Sequence, residues 1–148
     1  MTREELFKIA NKWIEELWLN KNIEAIDSLH SNDFIDHSPA GRKDDNEGYM
    51  TGLMNFYNSF PDFFTTVEDI IIDPEKGKAA IRWTAKGTFQ SSYMGFKPSG
   101  REVDFRGIEI LTIKDGKVTD RWGEWDGVDL MEQLLQSSMA NVIKKPKK

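Results

Sequence analysis

From residue 6 to residue 17 apolar side chains return every three or four positions, as Leu6, Ile9, Ala10, Trp13, Ile14 and Leu17. That spacing gathers them into one stripe of a helix, and Thr2 followed by Glu5 is a capping-box signature ahead of it. The polar run "NKN" (20–22) breaks the pattern, and "IEAIDSL" (23–29) predicts a short second helix. "NDFIDHSPAG" (32–41) predicts an extended piece that ends in a Pro/Gly turn. A third helix is expected over about 45–59, with Tyr49, Leu53, Phe56, Tyr57 and Phe60 on its inner side before Pro61.

Beyond Pro61 the period shortens to two. "FFTTVEDIII" (63–72) is β-branched, "DPEKG" (73–77) is a hairpin turn, and in "AIRWTAKGTF" (80–89) Ile81, Trp83, Ala85 and Phe89 alternate with polar side chains. The loop "QSSYMGFKPSG" (90–100) is long for a hairpin connection. Gly95 and Gly100 are possible pivots for a lid over a pocket mouth; a static surface loop is the alternative. "REVDFRGIEILTI" (101–113) predicts a long strand, "KDGK" a tight turn, "VTDRWGEW" (118–125) the last strand, and "GVDLMEQLLQ" (127–136) a final helix. Helices, then an antiparallel meander, then a helix is an α+β order. The expected organisation is one domain over 1–137 with a basic tail at 138–148.

Composition narrows the function. The 148 residues carry a formal charge of -5, which argues against nucleic-acid binding, and no cysteine, which removes disulfides, thiolate nucleophiles and cysteine-ligated zinc. Two histidines are too few for a histidine-rich metal centre, so no metal is expected. No apolar run has membrane-spanning length, and the charged "MTREELFK" is unlike a signal peptide, so a cytoplasmic protein without membrane partners is expected. Five Trp, nine Phe and three Tyr are the feature that calls for a ligand.

The order helix–helix–"DFIDH"–helix–meander, with "YMGFKPSGR", "VDFRGIEIL" and "DGKVTDRWGEWDGVDLMEQL", resembles the SnoaL-like polyketide cyclase (ester cyclase) family over about residues 3–136. That family belongs to the superfamily named for nuclear transport factor two. The resemblance implies a cone-shaped barrel: a strongly bent antiparallel sheet with N-terminal helices enclosing a pocket. It also implies ring closure by an aldol reaction with no metal or organic cofactor. The family's acid/base aspartate, three positions before the aspartate matching Asp126, falls on Gly123, and a histidine of the preceding strand falls on Glu109. The superfamily holds enzymes of several kinds and non-catalytic members, so fold alone leaves the reaction open.

Glu109 shares a strand face with Val103, Phe105, Leu111 and Ile113, where desolvation would raise its pKa toward that of a general base. Alternatively it bonds a buried arginine, Arg82, Arg106 or Arg121, and only organises the sheet. His37, placed near the pocket by the resemblance, could shuttle a proton or simply hydrogen-bond the neighbouring turn. Asp126 precedes "GVDL" as a helix N-cap, the better of its two readings. Trp13, Phe56, Trp83, Tyr93, Phe96, Phe105, Arg106, Trp122 and Glu124 are the candidate substrate-binding residues.

Trp122 and Trp125 point to opposite faces of one strand, so one meets the pocket side and the other a second subunit; a homodimer through the sheet is expected. Two functions follow. One is a cofactor-free acid/base enzyme acting on a small hydrophobic carbonyl compound; the other is a binder of a hydrophobic ligand without turnover. Glu109 and His37 in one cavity would favour the enzyme, and Glu109 locked to an arginine would favour the binder.

Overall fold

Thr2 caps helix α1 (Arg3–Trp18) as its sequence signature requires: its hydroxyl accepts the Glu5 amide while the Glu5 carboxylate accepts the Thr2 amide. This geometry belongs to a computed structural model that describes residues 1–144, with side chains through Leu135. Leu6, Ala10, Trp13, Ile14 and Leu17 of the stripe are buried, while Ile9 is half-buried. The segment 23–29 is a 3-10 turn (Ile23–Ala25) running into one turn of helix, α2 (Ile26–Leu29). The extended piece starts two residues earlier than expected, as strand β1 (His30–Asp36). Helix α3 (Asn46–Ser59) begins at Asp45, whose carboxylate accepts the Gly48 amide at 2.9 Å.

Four strands complete the sheet: β2 (Phe64–Asp73), β3 (Lys78–Thr88), β4 (Glu102–Lys114) and β5 (Lys117–Trp125). Asp115 and Gly116, with φ of 51° and 82°, form the tight turn between β4 and β5, the conformation that Asp-Gly hairpins favour. The strand order is β1-β5-β4-β3-β2. The last four strands form the expected antiparallel meander, but β1 adds to β5 in parallel. The expected α+β fold of a bent sheet under N-terminal helices is present; its sheet is mixed rather than wholly antiparallel and is not closed, with β1 and β2 as open edges. The parallel pairing follows from connectivity: β1 reaches β5 only after every intervening element, so no hairpin turn sets its direction. Register breaks between Val67 and Asp69 and between Thr112 and Ile113 are bulges that bend the strands they interrupt.

Helices α1 and α3 cover the concave face. One core cluster gathers Leu6, Trp13, Leu17, Phe34, Leu53 and Leu111; a second gathers Phe56, Phe60, Phe89, Phe105, Leu130 and Leu134. Trp18, Tyr57 and Trp83 touch both. The last two leucines of the second cluster come from helix α4 (Gly127–Lys144), which runs past the expected end at 136. Beyond the end of β5 the free edge of β4 is met by α4. There Gln133 accepts the Asp104 amide at 2.8 Å and donates to the Asp104 carbonyl at 2.9 Å. Of the expected basic tail, 138–144 continues the helix and 145–148 lies outside the described residues. No helix among the described residues is long and apolar enough to cross a membrane.

Candidate functional site

Between α3, the C-terminal end of α1 and the concave face lies a cavity of about 320 Å³. Its wall is aromatic: Trp18 from α1, Tyr49 and Phe56 from α3, Trp83 from β3, Trp125 from β5 and Tyr93 from the long loop. Trp18 organises this wall. Its indole N–H donates to the Tyr49 hydroxyl at 2.9 Å, and its ring stacks on Trp83 with 6.5 Å between centroids. Tyr93 and Met94 bring the loop 90–100 to the cavity, and the Ser59 hydroxyl holds that loop through the Ser92 carbonyl at 3.0 Å.

At the floor stands an ion cluster. Glu109 of β4 is 3% exposed, and its Oε1 accepts from Arg121 Nη2 at 3.0 Å and from Nε at 3.2 Å; Oε2 lies 3.3 Å from Nη2. The other side of the guanidinium donates to Asp36 Oδ1 at 2.9 Å. Asp36 Oδ2 is buried with no hydrogen-bond partner. One guanidinium thus serves two buried carboxylates, and the Tyr49 ring lies 5.1 Å from it. Burial pushes the Glu109 carboxyl above the usual carboxylate range, against the lowering pull of Arg121. The two carboxylates raise the Arg121 pKa despite its own burial.

Gly123 explains how the arginine fits. Ser38 accepts its amide at 3.0 Å, and a Cβ at this position would overlap the Arg121 guanidinium, lying 2.6 Å from Cζ, and the Glu109 carboxylate. The place where the resembling cyclases keep an aspartate is therefore filled by an arginine from two residues earlier.

Of the residues singled out from the sequence, Glu109, Phe56, Trp83 and Tyr93 meet at this cavity. His37 does not. It stacks on Trp122 with 4.2 Å between centroids and bonds Asp120 at 2.9 Å, outside the cavity, because it follows the inward-facing Asp36 along the pairing with β5 and so falls on the opposite face of the sheet. Trp13 is fully buried core, its indole N–H donating to His30 at 2.9 Å. Phe96 packs against the second core cluster, and Phe105 is part of it. Arg106 points to the convex side and pairs with Asp126 at 2.7 Å; with Phe105 it borders a separate groove near β2 and α4. Trp122 and Glu124 are exposed on the convex face, as strand parity sets them against Trp125's side.

Sequence reasoning passed over Trp18, Asp36 and Arg42, and placed Tyr49 on the inner side of α3 without assigning it to the site. Asp36 alternates with the buried Phe34, a parity signal that could have been used. Trp18 follows the α1 stripe by one position and bears on both core clusters. Arg42 lies in a loop and leaves no periodic trace.

The fold is thus an open, bent α+β sheet covered by helices, with an aromatic cavity and a buried ion cluster between the two layers. The chain belongs to the SnoaL-like polyketide cyclase family, which it matches over residues 8–134. Among solved structures it is similar to AclR from Streptomyces galilaeus, a hydroxylase candidate, with 22% identity, a TM-score of 0.81 and coverage of 91% of this chain and 98% of that one. A polyketide cyclase candidate from Bacillus cereus is 27% identical, with a TM-score of 0.76 and coverage of 90% and 85%. A SnoaL-like polyketide cyclase from Agrobacterium tumefaciens shares 21%, with a TM-score of 0.72 and coverage of 87% and 97%. No curated protein matches the chain.

Proposed function

We propose that the chain is a cofactor-free acid/base enzyme of its family, which binds a small, largely apolar carbonyl compound in the aromatic cavity and moves a proton on it with Glu109. The observation that carries this reading is a buried carboxylate at the cavity floor, sharing one guanidinium with Asp36. Burial outweighs that half-share of positive charge, so Glu109 is raised. Asp62, a carboxylate at the surface, goes the other way, lowered mainly by the Thr88 hydroxyl and amide. Two carboxylates against one guanidinium leave the cluster one negative charge, so Glu109 can take a proton while Asp36 still balances Arg121.

In such a step the carboxylate takes the proton as the carbon–hydrogen bond breaks. The bonding pair becomes the enolate, and protonated Glu109 returns the proton to carbon or to an acceptor oxygen. Arg121 is a positioning residue that aims the carboxylate. His37 takes no part.

Proton transfer can be read without knowing the product. Exchange of the acidic protons of 2-tetralone in deuterated water, followed by proton NMR, should be accelerated by the protein. Its rate should rise with pH as Glu109 loses its proton, with a midpoint above the ordinary carboxylate value. Glu109→Gln should abolish the acceleration, a loss of about a hundredfold or more, while tryptophan quenching by the ketone persists.

A second reading, binding without turnover, is favoured by the hydrogen bonds that place both Glu109 oxygens on Arg121. Quenching without accelerated exchange, or parental exchange in Glu109→Gln, would establish it over the first. In either reading the convex face of the sheet is proposed to rest on a second copy of the chain.

A further inference from the structure

The cavity holds a second cation that the ion cluster does not use. Arg42 reaches it from the loop between β1 and α3, where the chain turns through Ala40 and Gly41 at φ of 51° and 87° and the Arg42 amide donates to the Pro39 carbonyl at 3.0 Å. Its guanidinium lies flat along α3 in a space that only a glycine leaves open. A Cβ on Gly52 would sit 2.6 Å from Arg42 Cζ and Nε and 2.8 Å from Nη2. The Nε is buried with no hydrogen-bond partner, and among the described residues Arg42 makes no ion pair.

Four of the acids around the cavity and along the loop are engaged elsewhere. Asp45 caps α3, Glu47 pairs with Lys43, and Asp36 and Glu109 are taken by Arg121. Arg42 as a whole is partly exposed, but its Nε is withdrawn from water beside aromatic walls with no acceptor, which is unfavourable unless something else supplies one. Its planar fork suits a carboxylate, which it can hold through two parallel hydrogen bonds.

Resting on the reading of the cavity as a ligand site, we propose that its ligand is an aromatic carboxylic acid whose carboxylate is received by Arg42. The aromatic body then lies among Trp18, Trp83, Tyr93 and Trp125, and the far end of the molecule faces Glu109. Charge supports the same orientation: the Glu109–Arg121–Asp36 cluster carries one excess negative charge and repels a carboxylate, whereas Arg42 carries one unspent positive charge. At about 320 Å³ the cavity is near the small end of ligand sites, suited to a fused-ring acid rather than a long chain.

The probe pair is 2-naphthoate and 2-naphthamide, which differ in charge and hardly in shape, titrated against the whole chain near neutral pH by quenching of the cavity tryptophans. The acid should bind about tenfold or more tightly than the amide. Arg42→Gln should erase that preference while leaving amide affinity within about twofold. Gly52→Ala provides an independent arm. It favours the helix yet pushes the guanidinium out of its slot, so it should also lose the preference with Arg42 still present. Equal affinity for acid and amide in the parent, or a preference that survives in both variants, overturns the carboxylate assignment while leaving the cavity a ligand site. Quenching by neither probe overturns both readings together.

Discussion

At the scale of single residues the ion cluster makes the sharpest forecast. Introducing a side chain at Gly123, even the aspartate of the resembling cyclases, cannot restore a base there while Arg121 occupies the space. Gly123→Asp should displace the guanidinium and strip Glu109 and Asp36 of their shared cation. Breaking a buried pair in this way costs about 3–5 kcal/mol, and chemical denaturation should show a loss of that order with no gain in proton exchange. His30 makes a different forecast. Its Nε2 accepts from Trp13 and its Nδ1–H donates to Asn46 Oδ1, both at 2.9 Å, an arrangement that needs the neutral ring. Burial pushes its pKa from 6.5 down to about 4, against the raising effect of the hydrogen bond it donates to Asn46. The unfolded chain therefore binds this proton more readily than the native one. The stabilisation is complete above about pH 6.5 and is lost as pH falls toward 4, by on the order of 3 kcal/mol. Urea midpoints at neutral and acidic pH should diverge accordingly, and His30→Gln should flatten that part of the difference.

At the scale of elements, α4 is the piece whose attachment is most local. Asp126 joins strand to helix: its Oδ1 accepts the Asp129 amide at 3.0 Å and its Oδ2 meets Arg106. The helix then delivers Leu130 and Leu134 to the second core cluster. Asp126→Ala should cost about 1 kcal/mol, a drop of roughly 2–4 °C in Tm for a domain of this size. Asp126→Asn keeps the cap and removes only an exposed ion pair, so its Tm should stay near the parental value. A loss as large for asparagine as for alanine would shift the weight from the cap to the Arg106 contact.

At the scale of the whole molecule, the two tryptophans of β5 separate two surfaces. Trp125 lines the cavity. Trp122 stands on the convex face, with His37 stacked on it and Lys78 Nζ 4.6 Å from its ring centroid, beside exposed Ile108 and Ile110. A contiguous apolar stretch of this kind suits contact with another protein surface. Sedimentation at micromolar concentration should show a dimer, and Trp122→Ala should move it toward monomer with protomer stability nearly unchanged. Trp125→Ala should leave association intact and weaken ligand quenching. Its stability cost should fall below the roughly 3–5 kcal/mol of a fully buried ring, since about a third of it is exposed. A parent that sediments only as monomer would leave the convex face without a partner copy.

Periodicity was enough to place α1, α3 and the four-strand meander, because helix and strand faces are local properties of spacing and each buries a side chain every third, fourth or second position. The same parity put Glu109 among buried neighbours and separated Trp122 from Trp125. Resemblance supplied the helix-covered bent sheet. What spacing could not supply was any relation between residues distant in the chain. The parallel pairing of β1 with β5 joins segments some 85 residues apart. It alone sets Asp36 beside Arg121 and carries His37 away from the cavity. The arginine that holds Glu109 was one of three equal candidates from sequence, since which guanidinium reaches a carboxylate depends on strand register and on the missing side chain at Gly123. Arg42 beside Gly52 is likewise a contact between a loop and a helix face, formed only when tertiary packing closes the loop over α3.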